Sequence, residues 1–273
     1  MMRIDAHHHV WRLERGDYGW LTPDLPIHRD YGLQDLRPLL GDITATVLVQ
    51  AAPTEAETHF LLRVARASHG LVRGVVGWTE LAAADAPARI AALAGDALLK
   101  GLRPMLHDIL DNDWILRPAV QPALGEIAAR GLAFDALIRP PHLPVVLELA
   151  RRLPALRIVI DHGAKPDIAG GGLQPWAADI ARVAAETQAV CKLSGLVTEA
   201  APDWSVADLR PYVEHLLDVF GPQRLMWGSD WPVVELGGGY RRWRDASLEL
   251  LRDLPDASRD AVLGGTAVAI YRL

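Results

Sequence analysis

Eight short apolar, β-branched runs, each followed by a stretch of helical character, divide these 273 residues. In order they are MRIDA (2–6), TATVLVQ (44–50), VRGVVGW (72–78), LLKGLRP (98–104), LAFDALI (132–138), LRIVID (156–161), AVCKL (189–193) and RLMWG (224–228). Short, mostly apolar runs of this kind predict strands buried on both faces. The helices between them carry their own start signals. Thr54 with Glu57 three residues later forms a capping box, and Pro87 falls in the first turn after Asp85. Further helices are expected from Pro118 to Gly131, from near Pro144, over 174–188, around 208–220, and as two C-terminal segments. Strand and helix in alternation imply a parallel sheet. Eight such units fit a closed (β/α)₈ TIM barrel better than an open doubly wound sheet. Half of the residues are hydrophobic, enough for a sizeable core, and no Pro/Gly/Ser linker divides the chain. One domain over residues 1–273 is expected.

Charge and cysteine content narrow the partners. The net charge is −6, without a block of like charge or a basic stripe. Nucleic acid and anionic membrane are therefore poor partners. No apolar stretch is long enough to span a bilayer. The single cysteine, Cys191, permits no internal disulfide. No basic segment followed by an apolar run marks a secretion signal. A soluble cytoplasmic protein is the expectation.

The polar residues gather where such a barrel keeps its site, at the C-terminal ends of the strands. The first end carries Asp5, His7 and His9; the second Gln50; the third Trp78; the fourth Arg103, with His107 beyond it. The fifth carries Asp135, with His142 in its loop. The sixth carries Asp161, His162 and Lys165, the seventh Lys192 and Ser194, and the eighth Asp230 between Ser229 and Trp231. Ionisable groups are costly to bury unless paired or ligated, so their concentration on one rim points to a functional site. His7 and His9, two apart on a strand, share a face. Two converging imidazoles are half of a metal site, or a pair of donors for a substrate oxygen. His8 points the other way, to packing or solvent.

The motifs DAHHHVW (5–11), DHGAKP (161–166) and WGSDWP (227–232), with GLRPMLHD (101–108), resemble the amidohydrolase superfamily of the amidohydrolase-2 type. More closely, they look like its sugar-lactone hydrolase branch, which acts on lactones such as L-fuconolactone and L-rhamnonolactone. It spans the chain from residue 3 to the final AIYRL. The resemblance implies that Asp230 handles the proton of the attacking water, and that His7, His9 and His162 surround the reacting carbonyl. Arg103 matches a fourth-strand arginine that binds substrate oxygens in this branch. Two-metal members of the superfamily bridge their ions with a carboxylated lysine or a glutamate on the fourth strand. Here that position offers Arg103, and the fifth-strand histidine ligand is replaced by Asp135. The resemblance therefore implies at most one divalent metal, a zinc on His7, His9 and Asp230, or no essential metal.

The implied reaction is hydrolysis of a sugar lactone to its acid. Asp230 acts as general base and then returns the proton to the leaving alkoxide. His7, His9 and His162 stabilise the oxyanion directly or through zinc. Arg103, His107, Lys165 and Trp231 are expected to bind the substrate. An imidazole must be neutral to ligate metal, so activity is expected to fall below about pH 6. A pyrone-dicarboxylate lactonase would need more cations than Arg103 and Lys165 supply. A metal-dependent decarboxylase of the superfamily usually shows a fifth-strand histidine. No G-x-S-x-G elbow suggests a serine hydrolase. Trp11, Trp20, Trp114, Trp204 and Trp231 fall in apparent top-face loops. There an aromatic face could meet a sugar ring, although for each one taken singly loop packing is the better expectation.

Overall fold

The computed structural model describes residues 2–273. The strands are β1 (Ile4–His8), β2 (Ala45–Val49), β3 (Val72–Gly77), β4 (Leu99–Leu102), β5 (Ala133–Ala136), β6 (Arg157–Ile160), β7 (Val190–Leu193) and β8 (Leu225–Trp227). They form one sheet in sequence order, every neighbouring pair parallel. The helices are α1 (Leu33–Leu36), α2 (Glu55–Arg66), α3 (Ala86–Leu93), α4 (Gln121–Ala129), α5 (Leu143–Arg152), α6 (Trp176–Glu186), α7 (Val206–Phe220), α8 (Tyr240–Leu250), α9 (Asp256–Asp260) and α10 (Thr266–Tyr271). The architecture is a single (β/α)₈ TIM barrel.

The seam between β8 and β1 closes through residues just past β8. Asp230 N–H donates to the His7 carbonyl at 2.8 Å, and His9 N–H donates to the Trp231 carbonyl at 2.6 Å. Asp5 clips the same seam, its Oδ1 accepting from Ser229 N at 2.8 Å and His7 N at 3.2 Å. Gly228 allows this approach, because a Cβ there would stand 2.7 Å from the His7 Cβ. Barrel closure and the placement of His7, His9 and Asp230 are thus one set of hydrogen bonds.

Inside the barrel the side chains form layers. Val47, Val76, Ala133, Val159, Val190 and Met226 make an apolar floor, joined by Tyr271 of α10. Two residues further along their strands, on the same face, Ala133 gives way to Asp135, Val159 to Asp161 and Val190 to Lys192. All three charged residues are fully buried. A larger apolar cluster fills the space between strands and helices.

Some boundaries differ from expectation. The fourth-strand helix begins at Gln121 rather than Pro118, which puts Pro122 in its first turn. A helix begun at Pro118 would have placed Pro122 in its interior, without the N–H its hydrogen bond needs. α7 starts at Val206 because Ser205 and Asp208 cap it. The C-terminus holds three helices, with a wide π-type turn over Ala261–Gly265 between α9 and α10. At α2, Thr54 Oγ1 accepts from Glu57 N at 3.1 Å as the capping box predicts. The Glu57 carboxylate, however, turns to the N–H groups of Ala51 and Ala52 (2.6–3.1 Å) at the end of β2. No helix among the described residues is long and apolar enough to cross a membrane.

Candidate active site

The structure brings His7, His9, His162 and Asp230 together around one carboxylate oxygen. Asp230 Oδ1 lies 3.2 Å from His9 Nε2, 3.6 Å from His7 Nε2 and 3.8 Å from His162 Nε2. The Nε2 atoms of His7 and His9 are 3.2 Å apart. Both His162 and Asp230 sit in the left-handed backbone region, with φ of 55° and 59°. Such strain in a non-glycine residue persists only where surrounding contacts over-determine it. Gly195 helps at His162: a Cβ there would lie 2.5 Å from the imidazole Nδ1.

Each imidazole is oriented from behind. His9 Nδ1 is 2.8 Å from the Val49 carbonyl. A carbonyl only accepts, so neutral His9 carries its proton on Nδ1 and presents the Nε2 lone pair to Asp230. In that form two lone pairs face each other across 3.2 Å, and a proton on Nε2 turns the contact into a hydrogen bond. His162 Nδ1 pairs with Ser194 Oγ at 2.8 Å. His7 Nδ1 meets Lys192 Nζ at 3.1 Å. His8, fully buried, packs outward against Thr46 Oγ1 at 2.9 Å.

Beneath these groups lies a layer of paired charges. Lys192 Nζ contacts Asp135 Oδ2 at 2.5 Å and Asp161 Oδ1 at 3.0 Å. Tyr271 donates to Asp135 Oδ2 at 2.6 Å. Arg103 Nη1 donates to Asp161 Oδ2 at 3.2 Å, Nη2 donates to the Gln50 carbonyl, and Gln50 Nε2 donates to the Arg103 carbonyl at 2.7 Å.

Burial sets the ionisation of the site. It pushes His162 down to about 4 and His7 well below the usual imidazole range, the latter helped by the Lys192 charge. Burial also works to raise Asp230, but charge on His162, a hydrogen bond from a protonated His9 Nε2 and charge on His7 outweigh it and favour the ionised carboxyl. Asp161 behaves alike: burial is outweighed by Lys192, His7 and Arg103.

The cavity above is lined by His9, Arg103, His107, His162, Lys165 and Asp230, with an apolar wall of Trp20, Ala51, Met105, Leu137 and Val233. Arg103 is 3% exposed, with one donor on Asp161 and one on the Gln50 carbonyl, so it offers substrate only an edge. Lys165 reaches the cavity but pairs with Glu199 at 2.5 Å. Burial, with Lys165 and Arg103 nearby, pushes His107 down to about 3, which makes it a neutral hydrogen-bonding group. Trp231 does not line the cavity. Its indole is buried, with the Tyr31 ring edge-on at 5.3 Å, because the residue belongs to the closing seam. Trp20 takes the wall position instead, held by its Nε1–H to the Ala51 carbonyl at 2.7 Å. Trp11 and Trp204 are buried with their N–H groups on the carbonyls of Arg29 and Gly237, and Trp114 lines a neighbouring cleft.

A family profile described as Amidohydrolase matches residues 4–273. The chain belongs to the amidohydrolase family. This amidohydrolase is 48% identical to an L-fucono-1,5-lactonase of Burkholderia ambifaria, over 99% of this chain and 96% of the relative. It is 36% identical to an L-fucono-1,5-lactonase of Burkholderia multivorans, over 100% of this chain and 96% of that one. A crystal structure of an amidohydrolase from Burkholderia multivorans with bound zinc superposes with a TM-score of 0.93 at 35% identity, each chain fully covered.

Among the described residues of the amidohydrolase, two groups could hold a metal ion: His7, His9 and Asp230, and His7, Asp161 and His162. The first fits zinc. Tetrahedral ligands at about 2.0–2.1 Å from the ion stand roughly 3.3–3.4 Å apart, and here the spacings are 3.2, 3.2 and 3.6 Å. The facing lone pairs of His9 and Asp230 also call for a cation or a proton between them. In the second group both Asp161 oxygens already face side-chain cations. Sequence reasoning placed Lys192 at the site without a role. The signal was available: a lysine two residues after Val190, in the inward register of an apolar strand. The partnering of Lys165 with Glu199, 34 residues apart, had no local signal.

Proposed function

We propose that this protein hydrolyses a neutral sugar lactone of the L-fucono-1,5-lactone class to its acid. The observation that carries the reading is the Asp230 carboxylate at the cavity floor, with three imidazole Nε2 atoms within 3.8 Å of one of its oxygens. The identity to the two fuconolactonases supports the substrate class.

The lactone ring lies along Trp20, Met105, Leu137 and Val233, with its carbonyl directed at the histidines. His107 and Lys165 face its hydroxyl groups. Asp230 accepts the proton of the attacking water. A carboxylate held so firmly ionised is a weak base at rest, so it takes the proton only as the new C–O bond forms and the water becomes acidic. His7 and His162 donate from Nε2 to the oxyanion; one such donor typically contributes about 10²–10³ in rate. Asp230 then returns its proton to the ring oxygen as the C–O bond of the lactone breaks. When bound by His9 and Asp230 with His7 as third ligand, zinc supplies Lewis-acid polarisation of the carbonyl.

Both cavity cations are already paired, Arg103 with Asp161 and Lys165 with Glu199. A dicarboxylated lactone would need free positive charge to offset its desolvation, so a neutral substrate fits better. The test is a pH-indicator assay of neutral aldonolactones beside a dicarboxylated lactone and an aromatic carboxylic acid. Turnover of L-fucono-1,5-lactone and similar neutral lactones is expected. Turnover of the aromatic acid alone, with release of CO₂, would overturn the reading in favour of a decarboxylase.

A further inference from the structure

We propose that Lys192 is a positioning residue that fixes the tautomer of His7 and thereby keeps the metal affinity of the site low. Lys192 is fully buried at the centre of the barrel. Its three ammonium protons have three acceptors in reach: Asp135 Oδ2 at 2.5 Å, Asp161 Oδ1 at 3.0 Å and His7 Nδ1 at 3.1 Å. An ammonium only donates. His7 must therefore receive at Nδ1 and carry its own proton on Nε2, the edge that faces His9 and Asp230.

Two contacts compete with this assignment, and both are longer. Asp161 Oδ1 could accept from a protonated Nδ1, but it lies 3.6 Å away. Arg103 Nη1 could donate to a bare Nε2, but at 3.4 Å, and it has the Asp161 carboxylate at 3.2 Å. His9 Nε2, whose lone pair is fixed by its partner on Val49, accepts the His7 proton at 3.2 Å. The tautomer set by Lys192 thus makes His7 a donor to the site. To become the third metal ligand, His7 must move its proton to Nδ1 and give up Lys192. The same ammonium, with Arg103, also fills the second ligand-capable group by occupying Asp161. A built-in cation stands where a further divalent ion would otherwise be attracted.

The inference rests on the reading that His9 and Asp230 are where a cation is held, and its test does not depend on lactone turnover. Zinc affinity is measured by chelator competition for wild type, Lys192→Met and the double variant Lys192→Met/Asp135→Asn. The double variant removes the unpaired carboxylate and so protects the fold. Second-shell changes alter metal affinity by about 10–100-fold. Affinity is expected to rise at least tenfold in the double variant, with His7 ¹⁵N signals of the metal-free protein moving from the Nε2–H to the Nδ1–H pattern. A purely structural lysine would move neither. Unchanged or weaker zinc binding in the double variant, or a wild-type His7 already protonated on Nδ1, overturns the proposal. If the lactonase reading alone fails, wild type turns over no lactone while these two readouts still respond.

Discussion

Lys192, Asp135, Asp161 and Arg103 lie directly below His9, His162 and Asp230, and both layers are made of buried ionisable side chains. The lower layer pairs its charges with one another, although Asp135 Oδ1, Asp161 Oδ1 and Arg103 Nε have no hydrogen-bond partner. Lys192 lies between Asp135 and Asp161, Tyr271 and Lys192 share Asp135, and Arg103 spans Asp161 and the Gln50 carbonyl. The upper layer borders the cavity: His9, His162 and Asp230 all line it, with His9 Nε2 3.2 Å from Asp230 Oδ1. Burial by itself therefore does not mark the chemical site. A charged group paired with opposite charges deep in the barrel holds the barrel together, and one that borders a cavity is available to a substrate.

The largest expected effect comes from the upper layer. Asp230→Asn keeps the shape but cannot take the water's proton, and should lower kcat by about 10³-fold or more with the melting temperature little changed. Retention of a tenth of the activity would remove Asp230 from its role. Asp135→Asn should do the reverse. It leaves Lys192 one carboxylate short in the core and should cost about 3–5 kcal/mol of stability, read by urea unfolding. A variant as stable as wild type would mean that the lower layer is not structural.

Titration separates the layers as well. Burial lowers His162 to about 4 against an ordinary value of 6.5. The fold therefore favours the neutral imidazole. The stability this contributes is fully present above about pH 6.5 and is lost as pH falls toward 4. The acid limb of kcat/KM should accordingly lie near pH 4, and a limb at 6 or above would contradict the buried, neutral His162. The smallest effect is expected at the rim. Lys165→Met should raise KM only a few-fold and leave kcat nearly unchanged, because its ammonium is already held by Glu199. A loss above a hundredfold would make Lys165 part of the reacting centre.

Much of this was legible in the chain. The short, mostly apolar strand runs and the helix signals between them imply a parallel eight-unit barrel. The strand ends name His7, His9, His162 and Asp230 through DAHHHVW, DHGAKP and WGSDWP. These are local patterns, decided by side-chain direction along a strand and by the turn that follows. Tertiary structure alone decided which charges are spent on each other. Arg103 reads as a substrate-binding cation until Asp161, 58 residues away, is seen to hold it. Lys192 reads as an isolated charge until Asp135 and His7 are placed around it, 57 and 185 residues distant. Trp231 reads as a substrate-binding aromatic of a top-face loop until barrel closure buries it beside Tyr31, outside the cavity that Trp20 lines. Pairing of this kind depends on distances of a few ångströms between strands far apart in sequence, and no local pattern encodes those distances.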